Sequence, residues 1–428
     1  LDVPEPKLTA DEQAFVDNQL AKLMDMLDDF KIVQQDRDLP KQVWDYLRKE
    51  RFFAMIIGKD HGGLDFSPAA NSYIVSKIAS RSISAAESVM VPNSLGPGEL
   101  LTHYGTKEQK DYWLPRLADG TDIPCFALTG PEAGSDAGAI PDEGIICKGE
   151  HEGKEVVGIR LNWSKRYITL APSATVLGLA FKLYDPEALL GSKKEIGITC
   201  ALIPTSHKGV EIGDRHFPLN QAFLNGTTFG KDVFIPLDWI IGGADYAGKG
   251  WRMLVECLSA GRGISLPALA TASGHVTQRM TGAYAYVRQQ FGMPIGMFEG
   301  VQSSMGKIGG TNYILESTRR LTISALCQGQ SPSVVTAMTK YHMTEMGREV
   351  LEHAMDIHAG KGIQLGPHNY LGHAYMATPV SITVEGANIL TRNLMIFGQG
   401  ATRCHPYVLK EMKAAANPNE DEGMRDFD

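Results

Sequence analysis

The hydrophobic pattern of this chain changes period twice. Near the N-terminus Thr9-x-x-Glu12 forms a capping box. Behind it Phe15, Val16, Leu20, Leu23, Met24 and Leu27 recur at helical spacing. Pro40 opens a second helix carrying Val43, Trp44 and Leu47, Gly62-Gly63 makes a turn, and Pro68 starts a third helix. Tyr104-Gly105-Thr106-Lys107-Glu108 reads as a loop, a Thr N-cap and a helix. From about 123 to 244 the apolar runs shorten. Runs at 175–181, 196–203 and 231–235 are separated by Gly, Pro, Asn and Asp, which predicts a β domain of several short strands. From Gly250 the pattern is helical again, with long amphipathic segments near 251–290, 300–328, 332–359 and 381–412. Ser331-Pro332 reads as an N-cap with Pro at the first helical position. Four long helices with short connections predict a bundle.

Composition narrows the function classes. At 428 residues the chain has room for two or three domains, and 43% hydrophobic with 21% charged residues is ordinary for a globular protein. A formal net charge of −8 leaves no basic surplus to neutralise phosphates, so a nucleic-acid partner is not expected. Cysteines at 125, 147, 200, 257, 327 and 404 are scattered without a CxxC pair, which fits a reducing compartment and predicts neither a metal site nor a disulfide framework. No apolar run approaches the ~18 residues of a membrane span, no signal peptide is read at the start, and the expected location is cytoplasmic. The chain opens on Leu1 and closes on ANPNEDEGMRDFD, and both ends are expected to be cuts in a longer parent.

Candidate chemistry lies in four stretches. Residues 126–138, FALTGPEAGSDAG, leave a strand into a small-residue loop that exposes backbone N–H groups, with hydroxyls at Thr129 and Ser135. Lys165-Arg166-Tyr167-Ile168-Thr169 is a short strand with an aromatic and a hydroxyl two residues apart on one face, suited to a flat heteroaromatic cofactor. Arg288-Gln-Gln-Phe291-Gly292 reads as a helix end with Gly292 at C′, and Asp356 to Gly362 as a helix ending in a glycine-rich turn. Val384-Glu385-Gly386-Ala387-Asn388 places one carboxylate in a neutral neighbourhood, its nearest charged neighbours in sequence being His373 and Arg392. Such a group could have a raised pKa, as a general base needs, or could be a carboxylate in a helix first turn.

Together these pieces resemble the acyl-CoA dehydrogenase family over nearly the whole chain. LTGPEAGSD is similar to the family's flavin loop, with Gly130 where Glu is usual, and KRYITLA to its second flavin strand, with Tyr167 where Trp is usual. YGTKEQKDYWLPRLADG, RQQFGMPIGMFEGVQ, AGKG and VEGANILTR follow in the family's order. The resemblance is closest to the long bacterial fatty-acid-degradation branch. It implies an α+β multi-domain fold: an N-terminal α-helical domain over 1–122, a middle β-barrel-like domain over 123–245, a C-terminal four-helix bundle over 246–412, and an acidic tail over 413–428. In that branch the parent is longer and works near the inner face of the cell membrane.

The same resemblance implies a noncovalent FAD and a set of roles. Glu385 would be the base that takes the α-proton of a fatty acyl-CoA while the β-hydrogen passes to flavin N5, giving trans-2-enoyl-CoA. Phe126, Leu128 and Thr129 would border the flavin, Tyr167 would lie against it and Thr169 would reach N5. Ser135, Arg262 and Gly386 would line the substrate site. Arg288, Phe291, Gln302, Asp356 and Gly360 would hold the diphosphate and adenine, much of that set coming from a neighbouring subunit, so a homo-oligomer (dimer or tetramer) is implied. Ala387 and Ile389 replace polar residues that often contact flavin, so contacts there could be backbone only. Val384 stands where Tyr is common, and Ser259 at an often acidic position. An electron-transfer flavoprotein would be the acceptor. An acyl-CoA oxidase on the same fold, or a non-catalytic flavin-fold scaffold, are the alternatives.

Overall fold

The computed structural model describes residues 4–94 and 96–427, without the side chains of 258–260, so the Ser259 side chain lies outside the described residues. The N-terminal third is helical. Helix α1 (Ala10–Phe15) starts at the expected capping box, and helical turns continue to residue 26. The Glu12 carboxylate serves twice. One oxygen accepts the Thr9 N–H at 2.7 Å and the other accepts the Ser67 N–H at 2.6 Å, which ties α1 to the start of a later helix. Next come α2 (Lys41–Lys49), α3 (Pro68–Ala79, with Pro68 at its first turn as expected), α4 (Ile83–Met90), α5 (Pro97–Tyr104) and α6 (Lys107–Ala118, capped by Thr106).

Seven strands then build one sheet: β1 (Pro124–Ala127), β2 (Glu143–His151), β3 (Lys154–Thr169), β4 (Val176–Tyr184), β5 (Glu195–Pro204), β6 (Val210–His216) and β7 (Asn225–Pro236). Their order is β1-β4-β2-β3-β7-β6, with β5 on the other edge of β4. Both β1 and β2 run parallel to β4, β1 along 176–179 and β2 along 182–184, so the two share one edge. The three runs expected as strands fall in β4, β5 and β7. Inward residues of the sheet such as Leu161, Leu177 and Phe181 share one core with Leu23, Phe52 and Ile74 from the N-terminal helices and Leu266 and Leu269 from the next helix. One core therefore fixes all three parts of the chain.

The C-terminal part contains α7 (Gly250–Val287), α8 (Glu299–Cys327) and α9 (Ser333–His358). Four expectations are corrected here. The segment 381–412 is not one helix: α10 (Gly372–Thr383) ends before Val384, and helical turns resume at Asn388 and stop again at His405. Pro332, not Ser331, is the N-cap of α9. Gly292 is not a helix C′ residue. It is the second central residue of a hairpin whose strands, Gln289–Gln290 and Met293–Pro294, pair back on each other. Phe291 and Gly292 both have positive φ (53° and 78°), as a type I′ turn requires. Finally, α7 holds a stretch long and apolar enough by length and composition to cross a membrane, and 80% of it is buried in the protein. Gly, Ser and Thr interrupt its Ala, Leu, Ile and Val positions, so no single apolar run stands out in the sequence.

Candidate active site around Glu385

Glu385 sits in the break between α10 and the next helical turn. Val384 caps α10 in extended conformation, and Glu385 and Gly386 then turn left-handed, with φ of 54° and 91°. A left-handed non-glycine residue costs on the order of 1 kcal/mol and persists only where surroundings over-determine it. Here they do. Arg262 from α7 donates through Nε to the Glu385 carbonyl at 2.7 Å. Lys340 from α9 donates to the Ile382 carbonyl (3.1 Å), the Gly386 carbonyl (2.9 Å) and Asn388 Oδ1 (2.7 Å). Thr391 adds its hydroxyl to the Gly386 carbonyl at 3.0 Å.

The carboxylate itself lies over Gly261, where a Cβ would stand 3.6 Å from both of its oxygens and 3.1 Å from Ser94 Cβ. A larger residue on that turn of α7 would crowd this pocket. Glu385 Oε2 is buried with no hydrogen-bond partner among the described residues. Burial raises the carboxyl above its ordinary range, and the charges of Arg262 and Lys340 pull against that rise. The neutral neighbourhood expected from local sequence is thus corrected: two cations face Glu385 in space, each from a different helix. The helix-dipole alternative also fails, because helix resumes only at Asn388, three residues on. Arg262 was legible from its motif. Lys340 was not singled out, yet it had a signal: it falls on the buried stripe of α9 with Thr336, Met343, Thr344 and Gly347.

The two stretches expected to flank a flavin are joined. Lys165 is fully buried, pairs with Asp142 at 2.5 Å and donates to the Leu128 carbonyl at 2.7 Å. Asp142 also accepts the Ser164 N–H at 2.8 Å, and Arg166 N–H donates to the Thr129 carbonyl at 3.1 Å. Thr129 is half-buried, and its N–H and hydroxyl have no partner among the described residues. Tyr167 is 57% exposed with φ of 63°, at a bulge where β3 loses register with β7 between Lys165 and Ile168. A left-handed kink, rather than simple alternation, therefore turns its ring outward. Thr169 accepts from Asn225 Nδ2 at 3.2 Å, which leaves its own hydroxyl proton free to donate, and Asn225 Oδ1 is buried without a partner among the described residues. Phe126 gives its ring to the core against Gly178, and Ser135 lies exposed on the loop beyond.

The remaining expected residues gather elsewhere. A small core of Ala285, Ile295, Ile308, Leu351 and Ile357 brings together the end of α7, the hairpin, the start of α8 and the end of α9. Around it Arg288, Phe291, Gln302, Asp356 and Gly360 are all exposed, Phe291 by 92%. No hydrogen bond, ion pair or ring contact among the described residues joins them to the Thr129–Thr169 strand pair. Ala387 is half-buried as the N-cap of the resumed helix, and Ile389 is 72% exposed. No group of His, Cys, Asp and Glu able to hold a metal ion occurs among the described residues.

The chain is similar to known proteins over most of its length. The N-terminal, middle and C-terminal domains of acyl-CoA dehydrogenase match residues 7–121, 125–231 and 248–397, and the bacterial-type C-terminal domain matches 402–428. A stretch of 104 residues, 24% of the chain, is 62% identical to protein HemX of Proteus mirabilis. Over 90% of the chain it is 27% identical to the probable acyl-CoA dehydrogenase FadE10 of Mycobacterium tuberculosis. The matched regions span 61% and 57% of the lengths of these two curated relatives. Among solved structures, an acyl-CoA dehydrogenase from Geobacillus kaustophilus superposes with a TM-score of 0.81 at 22% identity, covering 92% of this chain and 99% of that one. The FAD complex of PigA superposes with a TM-score of 0.79 at 21% identity, covering 93% and 99%. Three consecutive domain matches that together span most of the described residues show the family: the chain belongs to the acyl-CoA dehydrogenase family of FAD-dependent oxidoreductases.

Proposed function

We propose that this chain converts a fatty acyl-CoA to its trans-2-enoyl-CoA, the first step of β-oxidation, with Glu385 removing the α-proton. The observation that carries this reading is the carboxylate of half-buried Glu385: Oε2 is buried and unpartnered among the described residues, and the group is raised by desolvation and restrained by two cations. That balance suits a general base, which must be ionised enough to accept a proton and basic enough to want it. An acyl-CoA α-hydrogen is only weakly acidic, so the thioester oxygen must meet donors as charge develops on it. The Glu385 N–H is engaged by no acceptor among the described residues and is available for that oxygen. Arg262 spends its Nε on the Glu385 carbonyl, so it supports the turn that carries the base.

The strand pair fits a flavin: Thr129 offers an N–H and a hydroxyl, Thr169 a hydroxyl proton and Tyr167 an exposed ring. FAD, when bound, supplies the acceptor for the hydride that leaves the β-carbon. Thr129, Thr169 and Tyr167 orient the ring system, Glu385 holds the α-proton on its carboxylate, and the surrounding burial excludes water from it. The exposed set at Arg288, Phe291, Gln302, Asp356 and Gly360 would meet the nucleotide end across a subunit contact, and an electron-transfer flavoprotein would take the electrons on. The test is spectroscopic. Purified protein should carry about one FAD per chain, and its flavin absorbance should bleach on anaerobic addition of octanoyl-CoA or palmitoyl-CoA. Flavin-loaded protein that no straight-chain acyl-CoA bleaches would overturn the reading.

A further inference from the structure

Lys340 is one of the largest fully buried side chains in the protein, and it lies outside every motif that marks the family resemblance. An ammonium has three donors and no acceptor. Lys340 Nζ meets three acceptors, the Ile382 and Gly386 carbonyls and Asn388 Oδ1, at 2.7–3.1 Å. A neutral amine has only two N–H bonds and would turn a lone pair toward the third oxygen, so this geometry selects the charged form. The three acceptors lie before, within and after the break around Glu385: Ile382 in the last turn of α10, Gly386 in the turn itself and Asn388 where helix resumes. Asn388 is itself fixed, donating to Thr344 Oγ1 at 3.0 Å and Glu345 Oε1 at 2.8 Å. The lysine thus clamps both sides of the left-handed turn to α9.

We propose that Lys340 is a positioning residue for the dehydrogenation: its buried ammonium fixes the Glu385–Gly386 turn and supplies, with Arg262, the positive charge that keeps the Glu385 carboxylate available as a base. The charged groups that act on Glu385 are Arg262 from α7 and Lys340 from α9, and Glu345 acts on Lys340 from its own helix. Burial lowers Lys340 to about 8, with Arg262 adding to the lowering, while Glu385 and Glu345 pull it back up, so Lys340 and Glu385 each favour the other's charged form. Loss of a nearby cation raises a carboxyl pKa. The acid limb of the reaction, below which Glu385 is protonated, must then move to higher pH.

This inference rests on Glu385 being the base, and the experiment keeps the two apart. Anaerobic flavin bleaching is followed by stopped flow against pH and octanoyl-CoA concentration in the parent, Lys340→Met, Lys340→Gln, Lys340→Arg and Glu385→Gln. In Lys340→Met the limiting rate should fall on the order of tenfold to a hundredfold. FAD content should be kept, with the acyl-CoA saturation constant within about threefold of the parent. The acid limb should move up by about one pH unit or more. Lys340→Arg, which keeps the charge, should leave the limb in place although its planar fork cannot serve all three acceptors. A Lys340→Met protein that melts earlier but bleaches at the parent rate, with its acid limb unmoved, overturns the proposal. Should Lys340→Met fail to fold, Lys340→Gln against Lys340→Arg decides: a limb moved only in the Gln variant supports the assignment, and equal profiles overturn it. Glu385→Gln bleaching at the parent rate would instead remove the base, and the Lys340 role with it.

Discussion

At Glu385, burial pushes the carboxyl up while Arg262 and Lys340 draw it back. The folded chain therefore holds this proton more tightly than the unfolded chain does. Its contribution to stability is complete below the ordinary carboxylate range and is lost as pH rises through the folded value. Glu385→Gln should accordingly melt higher than the parent at neutral pH, with the gap closing as pH falls into that ordinary range, which melting curves across pH will show. Glu87 has the same sign and no counter-charge. It is 2% exposed, neither carboxylate oxygen has a partner among the described residues, and burial holds it well above the ordinary range. Glu87→Met removes an orphaned polar group, so it should stabilise the protein at neutral pH by about 1–3 kcal/mol in denaturant titrations, and by less at acid pH.

Two buried lysines organise the two working turns at the level of the elements. Lys340 gathers the loop after α10, and Lys165 joins the loop after β1 to the end of β3 through Leu128 and Asp142. Lys165→Met leaves Asp142 buried without its cation, a loss of about 3–5 kcal/mol, and Lys165→Met with Asp142→Leu should recover part of it. Paired denaturant titrations check this, and FAD affinity should drop in the single variant. Elements set by local chemistry were legible in the sequence: the capping box at Thr9, the N-cap at Thr106, Pro68 at a helix start, and the short apolar runs of β4, β5 and β7. What was missed is set from a distance. Ile382, Val384 and the apolar residues after Asn388 carry a helical period straight through the Glu385 turn, and Arg262 and Lys340, from other helices, hold the break with Thr391. Gly292 follows an apolar helix as a C′ glycine would. Strand pairing of Met293–Pro294 with Gln289–Gln290 makes it a hairpin residue instead. Lys340 was legible only as a lysine on a buried stripe.

Over the whole molecule, the parts expected to hold one FAD lie in two groups that no bond among the described residues joins. One is the Thr129–Thr169 strand pair, and the other surrounds the hairpin at the end of the bundle. Tyr286, Val287 and Phe291 stand exposed there, each by 70% or more, and exposed large apolar side chains grouped at one end of the bundle suit an interaction surface. A second copy of the chain bringing its hairpin to the strand pair would complete the cofactor site. Phe291→Asp should then weaken assembly and FAD binding together, and Arg288→Ala should weaken FAD binding with less effect on assembly. Sedimentation beside flavin titration reads both. A parent that is monomeric while binding FAD tightly would contradict the shared site.

The central claim is that Glu385 is the base, and stopped-flow bleaching of Glu385→Gln at saturating acyl-CoA without oxygen tests it most directly. Gln keeps the size and much of the hydrogen bonding of Glu but cannot take the proton. The variant should fold, hold FAD and bind acyl-CoA, yet reduce its flavin at least ~10²–10⁴-fold more slowly than the parent. Flavin reduction within about threefold of the parent rate, against that expected loss, would contradict the account and move the base to another residue.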